Sequence, residues 1–380
     1  MIPVSSDLLA LYQKGPIFQT SRKLQVLDRS YRVLAEFTDE IFDGQITCDN
    51  SRSAIRSMDI KLVNTSGQFT WGANNLIWLD KYFKPFYGVM VNGQWEWIPQ
   101  GVFPCSQPIA DSEASSKAVN EVEFQGGDKM DYLGICEDNI TVATGGDIGT
   151  EIKAVLNGIE TMFLFDDTSS MQKIPYDMTW PAGTQYSQII SDMAGIITWE
   201  IFYDVNGYLR LRAPIDPTTT VPILTLDANG ESFSLWAGAQ RQADDSNLAN
   251  YIVVYGGSSQ TQLVSYTMQD NDPNSPTSIQ RIGKRVYLHN NGNPDPVITT
   301  QALAQYRAEY EYKKRLQVVE KLNFKVFPVP FMDVDDVYQI TDSRNGTSGK
   351  YQVVSFTLPF GTSSTSYETG YLWQVRNFAS

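Results

Sequence analysis

The single histidine of the chain is the first residue to consider for chemistry. His289 lies in the segment His-Asn-Asn-Gly-Asn-Pro, a composition typical of a loop. A Ser–His–Asp or Cys–His arrangement would have to use this residue, and no G-x-S-x-G motif accompanies it. One histidine also excludes an H-E-x-x-H or multi-histidine zinc site. The sequence therefore predicts that His289 is a solvated loop residue.

Carboxylate clusters are the second candidates for chemistry. Asp333, Asp335 and Asp336 resemble the start of a calcium loop. However, Val337 and Tyr338 stand where the EF-hand pattern needs an oxygen donor and a glycine. We therefore interpret the cluster as a turn that leads into a strand.

Two acidic doublets, Asp166-Asp167 and Asp244-Asp245, have the residue type of the acid pair in glycoside hydrolases. Acidic doublets are also common in loops, and this is the favoured interpretation. Two glycine-rich segments, at 145–149 and 346–350, match neither the G-x-G-x-x-G order nor the P-loop spacing. We interpret both as turns. The sequence predicts no catalytic residue, no metal and no cofactor, and hence a protein that is not an enzyme.

Aromatic residues cluster between positions 71 and 97 and permit two interpretations. A platform that binds carbohydrate is one, and packing in the core or in a subunit contact is the commoner use of aromatic side chains. The cluster comprises Trp71, Trp78, Tyr82, Phe83, Phe86, Tyr87, Trp95 and Trp97.

Composition narrows the classes of function. A net charge of −14 argues against a nucleic-acid binder, which needs cationic surface. It is compatible with a channel that does not retain DNA, and acidic excess for solubility alone is the alternative. Cys48, Cys105 and Cys136 are odd in number and lack C-x-x-C spacing, so we expect reduced, buried thiols. Without a signal peptide pattern or an 18-residue apolar run, we expect a soluble protein made in a cytoplasm, with no membrane insertion.

The clearest elements lie between residues 296 and 360. A helix is predicted over 299–315, with Thr299 or Thr300 as its N-cap, followed by a meander of strands. Three apolar residues recur at helical spacing and are predicted to share the buried face: Leu303, Tyr306 and Tyr310. Asn92-Gly93 and Asn206-Gly207 each separate two alternating segments and predict hairpins. The segment 268–277, with two Pro residues, is predicted to be a solvated loop.

These elements predict a mainly β fold with an α+β insert. We expect a β-barrel-like domain over residues 1–125 and a small α+β domain over 126–238. A second β-barrel-like domain, which contains the helix at 299–315, is expected over 239–380. At 380 residues, two or three domains are the usual expectation.

The C-terminal segments resemble the baseplate (tail) hub family of phages, which includes the late control protein D group and the hub portion of type VI secretion spikes. Two segments carry this resemblance: Pro330-Phe-Met-Asp-Val-Asp-Asp-Val-Tyr-Gln-Ile and Gly349-Lys-Tyr-Gln-Val-Val-Ser-Phe-Thr-Leu-Pro. The helix from Thr300 and the strand Val318–Phe327 also resemble the family. The segments around Ile174, Pro181 and Asp204 are similar to its small inserted domain. About half of the chain is covered.

The resemblance implies a trimer in which each chain contributes two similar β domains to a pseudo-six-fold ring. Such a ring joins a six-fold tail tube to a three-fold spike, and DNA passes through its lumen without specific binding. The expected partners are a tail tube or distal tail protein, a spike or tip protein and a tape-measure protein. The expected location is the virion tail or baseplate, assembled in the host cytoplasm. The chain ends at Ser380 without a lysozyme, peptidase or spike extension, so we expect any puncturing or wall-degrading activity in another protein.

Two other functions fit the sequence less well. One is a β-rich tail-tip protein that binds cell-surface sugar through the aromatic cluster at 71–97. The other is a glycoside hydrolase that uses Asp166 or Asp244. Solution mass and glycan affinity distinguish the first from a hub, because a monomer that binds glycan would exclude a hub. Turnover of polysaccharide would identify the second.

Overall fold

The computed structural model describes residues 2–15, 19–64, 67–106, 108–111, 121–228, 236–242, 245, 248–257, 263–316, 321–361 and 368–374. The helices are α1 (Ser6–Lys14), α2 (Ile148–Val155), α3 (Tyr186–Ile196), α4 (Ile279–Ile282) and α5 (Gln301–Leu316). The strands are β1 (Thr20–Leu27), β2 (Val33–Phe37), β3 (Ile41–Asp49), β4 (Arg56–Val63), β5 (Tyr82–Val91), β6 (Gln94–Pro99), β7 (Phe103–Pro104), β8 (Ile109–Asp111), β9 (Glu121–Gly127), β10 (Ile140–Val142), β11 (Phe163–Phe165), β12 (Met178–Trp180), β13 (Glu200–Tyr203), β14 (Leu209–Arg212), β15 (Thr225–Asp227), β16 (Trp236–Gln242), β17 (Tyr251–Gly256), β18 (Val264–Gln269), β19 (Val286–Leu288), β20 (Lys321–Val326), β21 (Val337–Asp342), β22 (Thr347–Pro359) and β23 (Glu368–Gln374).

A ten-stranded sheet, here called the wall sheet, contains strands from both ends of the chain. Its main order is β16-β20-β23-β22-β3-β4-β9-β8, and β21 and β15 extend it from the first half of β22. The long strand β22 pairs with β21 over Thr347–Gln352 and with β3 over Ser355–Pro359. Its pairing with β23 shifts register between Val353 and Ser355. Such a bulge bends a strand, and here it lies where β22 changes from one neighbour to the other.

A second sheet packs against the wall sheet. Its order is β2-β1-β5-β6, with β7 on β5. Alternation in β1 and β4 directs every second side chain into the layer between the sheets, where Leu24, Val26, Ile60 and Leu62 are buried. This core continues into β20, β22 and β23. One hydrophobic core therefore joins residues of the N-terminal and C-terminal parts of the chain.

Two smaller units have cores of their own. In the inserted unit (residues 128–212), α2 and α3 pack with β10–β14 around Ile152, Ile189 and Leu211. In the helix unit, α5 packs on β17 and β18 of the three-stranded sheet β18-β17-β19. Its core contains Ile252, Val254, Ala304 and Ala308.

The mainly β class predicted from the sequence is confirmed, and the sheets of the described residues do not close into a barrel. The domain limits stay a prediction; β16 crosses the expected limit at 238. Both predicted hairpins form, as β5–β6 and β13–β14. In the first, Asn92 and Gly93 have φ values of 49° and 80°, as a type I′ turn requires.

The helix predicted at 299–315 forms as α5, two residues later than expected at its start, and Thr300 Oγ1 accepts a hydrogen bond from Leu303 N. The predicted buried face is correct only in part: Leu303 packs against the core of the helix unit, whereas Tyr306 does not. Ala304 and Ala308 are fully buried, whereas Tyr306 is exposed and its hydroxyl accepts from Thr198 Oγ1. The helix buries its alanines in the contact with β17 and β18, and Leu303 and Tyr312 are partly buried against the same core. Tyr306 turns towards the inserted unit.

The solvated loop predicted at 268–277 is correct only in part: residues 271–274 and Pro276 are exposed and lie in a loop, whereas the rest of the segment differs. Met268 and Gln269 belong to β18, and Asp270, Ser275 and Thr277 are buried. Asp270 Oδ2 accepts hydrogen bonds from the hydroxyls of Ser275 (2.5 Å) and Thr277 (2.9 Å). The polar residues of this segment satisfy one another, so the loop does not need water to do so.

Candidate functional site

His289 was predicted to be a solvated residue, and this prediction is wrong. Its side chain is only 12% exposed. Its Nε2 lies 2.8 Å from Asp295 Oδ2, and its Nδ1 lies 3.9 Å from Glu311 Oε1. The sequence missed both contacts because the partners lie on other elements. The ring is held between two carboxylates, and no serine or cysteine nucleophile bonds to it within the described residues.

The acidic cluster at 333–336 forms the predicted turn into β21 and also has a role that the sequence did not show. Asp333 Oδ1 lies 2.5 Å from Nη2 of Arg56, a residue that is 1% exposed. Arg56 Nη1 lies 3.1 Å from Cys48 Sγ. A buried arginine requires a charged partner, so Asp333 holds β4 against the turn before β21.

Asp335 joins three parts of the chain. Its carboxylate accepts hydrogen bonds from Asn50 Nδ2 and from Arg212 Nη2, both at 3.0 Å. Arg212 also donates through Nε to Glu200 at 3.0 Å. Burial raises the pKa of Asp335 and of Glu200, and Arg212 between them favours their charged forms. Asp335 has a φ of 67°, a strained conformation for this residue type.

A buried lysine links the inserted unit to the β1–β2 turn. The ammonium of Lys129 contacts the carboxylate of Glu160 and the hydroxyl of Tyr31, and it donates to Gly207 O at 3.1 Å. Tyr203 donates its hydroxyl to Glu160 at 2.7 Å. Burial lowers the pKa of Lys129, while Glu160 raises it. The cluster links the two units, and the hydrogen-bonding groups named here have their partners within the cluster.

The other predicted acids have local partners. Asp166 lies 3.4 Å from Arg210, and Asp245 lies 2.7 Å from Arg285; Asp244 lies outside the described residues. Asp167 accepts from the backbone and hydroxyl of Ser169. In the described part of the chain, side chains able to hold a metal do not gather in groups of three or more. The acid pair of a glycoside hydrolase therefore has no geometric support, and the lack of catalysis stays a prediction.

The two glycine-rich segments are turns only in part. Gly145 and Gly346 lie in turns, whereas Gly149 belongs to α2 and Gly349 to β22. Asp147 caps α2. Burial raises its pKa, but hydrogen bonds from Lys173, Thr150 and Thr168 outweigh burial and hold it at about 2.

The aromatic cluster at 71–97 divides between core and surface. Phe83 and Tyr87 are buried in the main core. Trp95 and Trp97 lie on the edge strand β6 with ring centroids 5.7 Å apart. Trp71 is 52% exposed and packs edge-to-face on Trp78 at 4.9 Å.

Three further features bear on function. The cysteines are free and buried as predicted, and burial raises the pKa of Cys48 to about 12 and of Cys105 to about 11, so these thiols are protonated near neutral pH.

A cavity of about 460 Å³ between the inserted unit and α5 is lined by Asp192, Asp295 and Arg307, which already pair with Trp180, His289 and Gly195 O. Among the described helices, none has the length and apolar character needed to cross a membrane.

One face of the wall sheet is open and carries two grooves whose linings are mostly uncharged. Two grooves of about 440 and 710 Å³ lie along it. Their linings include Gln45, Thr47, Ser57, Asn323, Ser355 and Thr357. Asp49, Asp59 and Lys325 are the charged residues that line these grooves. The grooves offer hydrogen-bonding groups, and between them and the β8 edge Asp43, Asp59 and Glu123 lie near Lys61.

The comparisons with known proteins concern the fold. No family model matches the chain, and no curated protein matches it in sequence. A 43 kDa tail protein of prophage MuSo2 from Shewanella oneidensis is similar over 94% of this chain and 98% of its own length, with a TM-score of 0.63 and 10% identity. A tail protein from Neisseria meningitidis MC58 is similar over 93% and 96%, with a TM-score of 0.63 and 12% identity.

A third structure extends the comparison to secretion systems. The c3393 protein of E. coli is a component of the type VI secretion system, described as structurally similar to the T4 phage tail proteins gp27 and gp5. It is similar over 89% of this chain and 74% of its own length, with a TM-score of 0.50 and 8% identity. The chain therefore has the fold of phage tail proteins and of a type VI secretion component. The predicted resemblance to the tail hub family is confirmed at the level of the fold.

Proposed function

We propose that this chain is a structural hub protein in the tail of a phage or of a related contractile injection system. Three copies form a pseudo-six-fold ring that joins the tail tube to the central spike or tip. The observation that carries this proposal is the wall sheet, built from both ends of the chain within a fold shared with tail proteins. In the finer form of the proposal, two β-barrel-like domains, at 1–125 and 239–380, flank a small domain at 126–238.

The two edges at the ends of the main strand order support ring formation. At one edge β8 pairs only with β9, and at the other β16 pairs only with β20, within the described residues. The edge at β16 carries Arg241, with Lys321 and Lys325 on the next strand, whereas β9 carries Glu121 and Glu123. Opposite charges at two open edges favour contact between the edge of one copy and the opposite edge of the next. A head-to-tail contact of this kind generates a ring when its rotation closes, here after three copies.

The open face of the wall sheet suits a lumen through which DNA passes. A protein retains DNA by placing lysine and arginine against the phosphates. The linings of the two grooves are mostly uncharged, and their charged members are of both signs. We therefore assign this face to the lumen, where it contacts DNA without holding it. A basic lumen in the assembled ring would contradict this assignment.

The partners follow from this position in the tail. They are a tail tube or distal tail protein on one side of the ring, a spike or tip protein on the other, and a tape-measure protein in the lumen. The assembled protein belongs to the virion tail or baseplate, and assembly takes place in the host cytoplasm.

Solution mass and electron microscopy test the proposal. We expect light scattering to give three times the 42.7 kDa of one chain. Images of the particle should show a ring with three-fold symmetry and a central opening. The purified ring should also bind the tube and spike proteins of the same tail. A stable monomer at micromolar concentration would contradict the hub.

One observation favours a second function, the binding of cell-surface sugar. Trp71 is exposed and packs edge-to-face on the half-buried Trp78 outside the core, and exposed tryptophan faces stack on sugar rings. Glycan binding by the purified protein, lost in Trp71→Ala with the fold unchanged, would support it. Absence of binding across a panel of cell-wall and lipopolysaccharide glycans would exclude it.

A further inference from the structure

The central strand of the helix unit is apolar on both faces. The sequence of β17 is Tyr-Ile-Val-Val-Tyr-Gly, and continuous apolar runs are typical of strands that are covered on both sides. Ile252 and Val254 face α5. Tyr251, Val253 and Tyr255 point to the opposite side, because successive side chains of a strand alternate.

The side of this sheet opposite α5 is an exposed apolar surface, here called the outer face. The parallel pairing of β17 with β19 places Val286 beside Tyr251 and Leu288 beside Val253. Tyr255, Val286 and Leu288 are 40%, 52% and 42% exposed. Adjacent exposed apolar side chains on a sheet indicate a contact surface rather than chance exposure.

Cationic side chains border the outer face. Lys284 Nζ lies 3.4 Å above the ring of Tyr251, and Arg281 lies in α4 three residues before it. Arg285 follows and pairs with Asp245. In a chain with a net charge of −14, this is a local reversal of charge, so a partner of complementary chemistry presents an apolar centre with acidic residues around it.

The chain itself carries such a surface beside β8, here called the acidic patch. Ile109, Tyr132 and Ile135 are exposed, and the Tyr132 hydroxyl contacts Ser106 Oγ at 2.5 Å. Asp131 and Ile135 line a groove of about 430 Å³. Glu137 and Asp138 follow Ile135 and are exposed. The patch therefore combines apolar side chains with three carboxylates.

The ring needs more contact area than its sheet edges provide. The strand β8 has only three residues, and a stable interface buries about 1,200–2,000 Å². The acidic patch adjoins β8, and the outer face belongs to the helix unit, whose first strand β17 follows β16 in the chain. One surface therefore lies beside the β8 edge of the wall sheet, and the other belongs to the unit that follows the strand of the β16 edge in the chain.

We propose that the outer face of one copy docks on the acidic patch of the next copy in the ring. Val286 and Leu288 pack against Tyr132 and Ile135, and Lys284 and Arg281 lie opposite the carboxylates of the patch. This inference rests on the proposed trimer and names the surfaces that form its subunit contact.

The test compares the solution mass of three proteins. The double variant Val286→Asp/Leu288→Asp places two negative charges in the contact. We expect this variant to remain a monomer even at concentrations at least tenfold above those at which the wild type forms a trimer. Leu164→Asp, at an exposed leucine of the inserted unit, is the matched control and should remain a trimer. Melting curves check that both variants are folded.

A charge exchange and a cross-link identify the docking partner. Lys284→Glu should weaken the trimer, and Glu137→Lys/Asp138→Lys in the same chain should restore it. Leu288→Cys/Ile135→Cys, with the remaining cysteines buried, should form disulfides between chains under oxidation. If the aspartate variant does not fold, the cross-link still tests whether the outer face contacts the acidic patch.

The outcomes separate this inference from the hub itself. A wild-type monomer overturns the proposed trimer and with it the contact. A trimer that persists in the folded aspartate variant overturns the contact alone and leaves the hub standing. A variant that dissociates without charge rescue or cross-linking shows that the outer face binds another surface of the next copy, which overturns the assigned acidic patch.

Discussion

At the scale of single residues, Glu368 is a carboxyl group in the main core that no cation pairs with among the described residues. Its side chain is fully buried, and it accepts a hydrogen bond from Val329 N at 2.6 Å through Oε2, while Oε1 has no hydrogen-bond partner in the described part of the chain. Within the same residues, the hydroxyl of Tyr338 is likewise buried without a hydrogen bond. Burial raises the pKa of Glu368 to about 8 from an ordinary value of 4.5. The group is therefore mostly protonated at neutral pH.

Glu368→Gln should change how stability depends on pH. The folded pKa lies above the unfolded one, so the wild type has the full contribution of Glu368 below pH 4.5 and loses it as pH rises through about 8. The loss is about 1.4 kcal/mol per pH unit in that window. Glutamine does not titrate, so urea unfolding at pH 5 and pH 8 should show the variant gaining about 3–4 kcal/mol relative to the wild type. Parallel pH profiles would contradict protonation of Glu368.

At the scale of elements, the contact between α5 and its sheet depends on alanines. Ala308 is fully buried against β17 and β18, whereas Ala302 on the same helix is exposed. Ala308→Leu adds three carbon atoms to a filled space and should lower the free energy of unfolding by about 1–3 kcal/mol. Ala302→Leu is the matched control and should have an effect within about 0.5 kcal/mol. Equal effects of the two changes, measured by urea unfolding, would show that the helix is loosely packed.

Local patterns in the sequence predict elements but not their partners. The hairpin at Asn92-Gly93 and the helices α1, α2, α3 and α5 follow from turn residues, caps and periodicity that lie within about 20 residues. The pairing of β3 with β22 joins residues about 300 positions apart, and no local signal encodes it. The strand β16 has no clear strand pattern in the sequence, because its alanine and glycine residues have little β-propensity.

The polar contacts of the candidate site could not be predicted for the same reason. Asp333, Asp335 and Asp336 were visible as a cluster, and their turn was predicted from it. Their partners Arg56 and Arg212 lie on distant strands. A buried arginine looks like a surface arginine in a sequence, because only the fold decides what surrounds it.

At the scale of the whole molecule, Lys129 links the inserted unit to the β1–β2 turn through Tyr31, and Glu160 of the same unit is its partner charge. Glu160→Gln leaves Lys129 buried without its partner charge and should cost about 3–5 kcal/mol. Hydrogen exchange should then increase in residues 129–132 and 200–212 while the wall sheet stays protected. Asp166→Asn removes an exposed pair with Arg210 and is the control, with an expected effect below about 1 kcal/mol. Uniform loss of protection across the chain would show that the inserted unit does not open by itself.

The position of β22 between β21, β23 and β3 affects the order in which the parts of the chain can fold. After β3 has been synthesised, about 300 more residues must be added before β22 exists. The strand β3 therefore lacks this neighbour during most of synthesis. Contacts of such sequence separation form slowly, and unpaired strand edges invite association with other chains. The inserted unit draws its core almost entirely from residues 130–211, so it can fold first, while the ribosome is still working. The wall sheet is the last part to form, and a chain interrupted before residue 347 lacks the strand that joins its two halves.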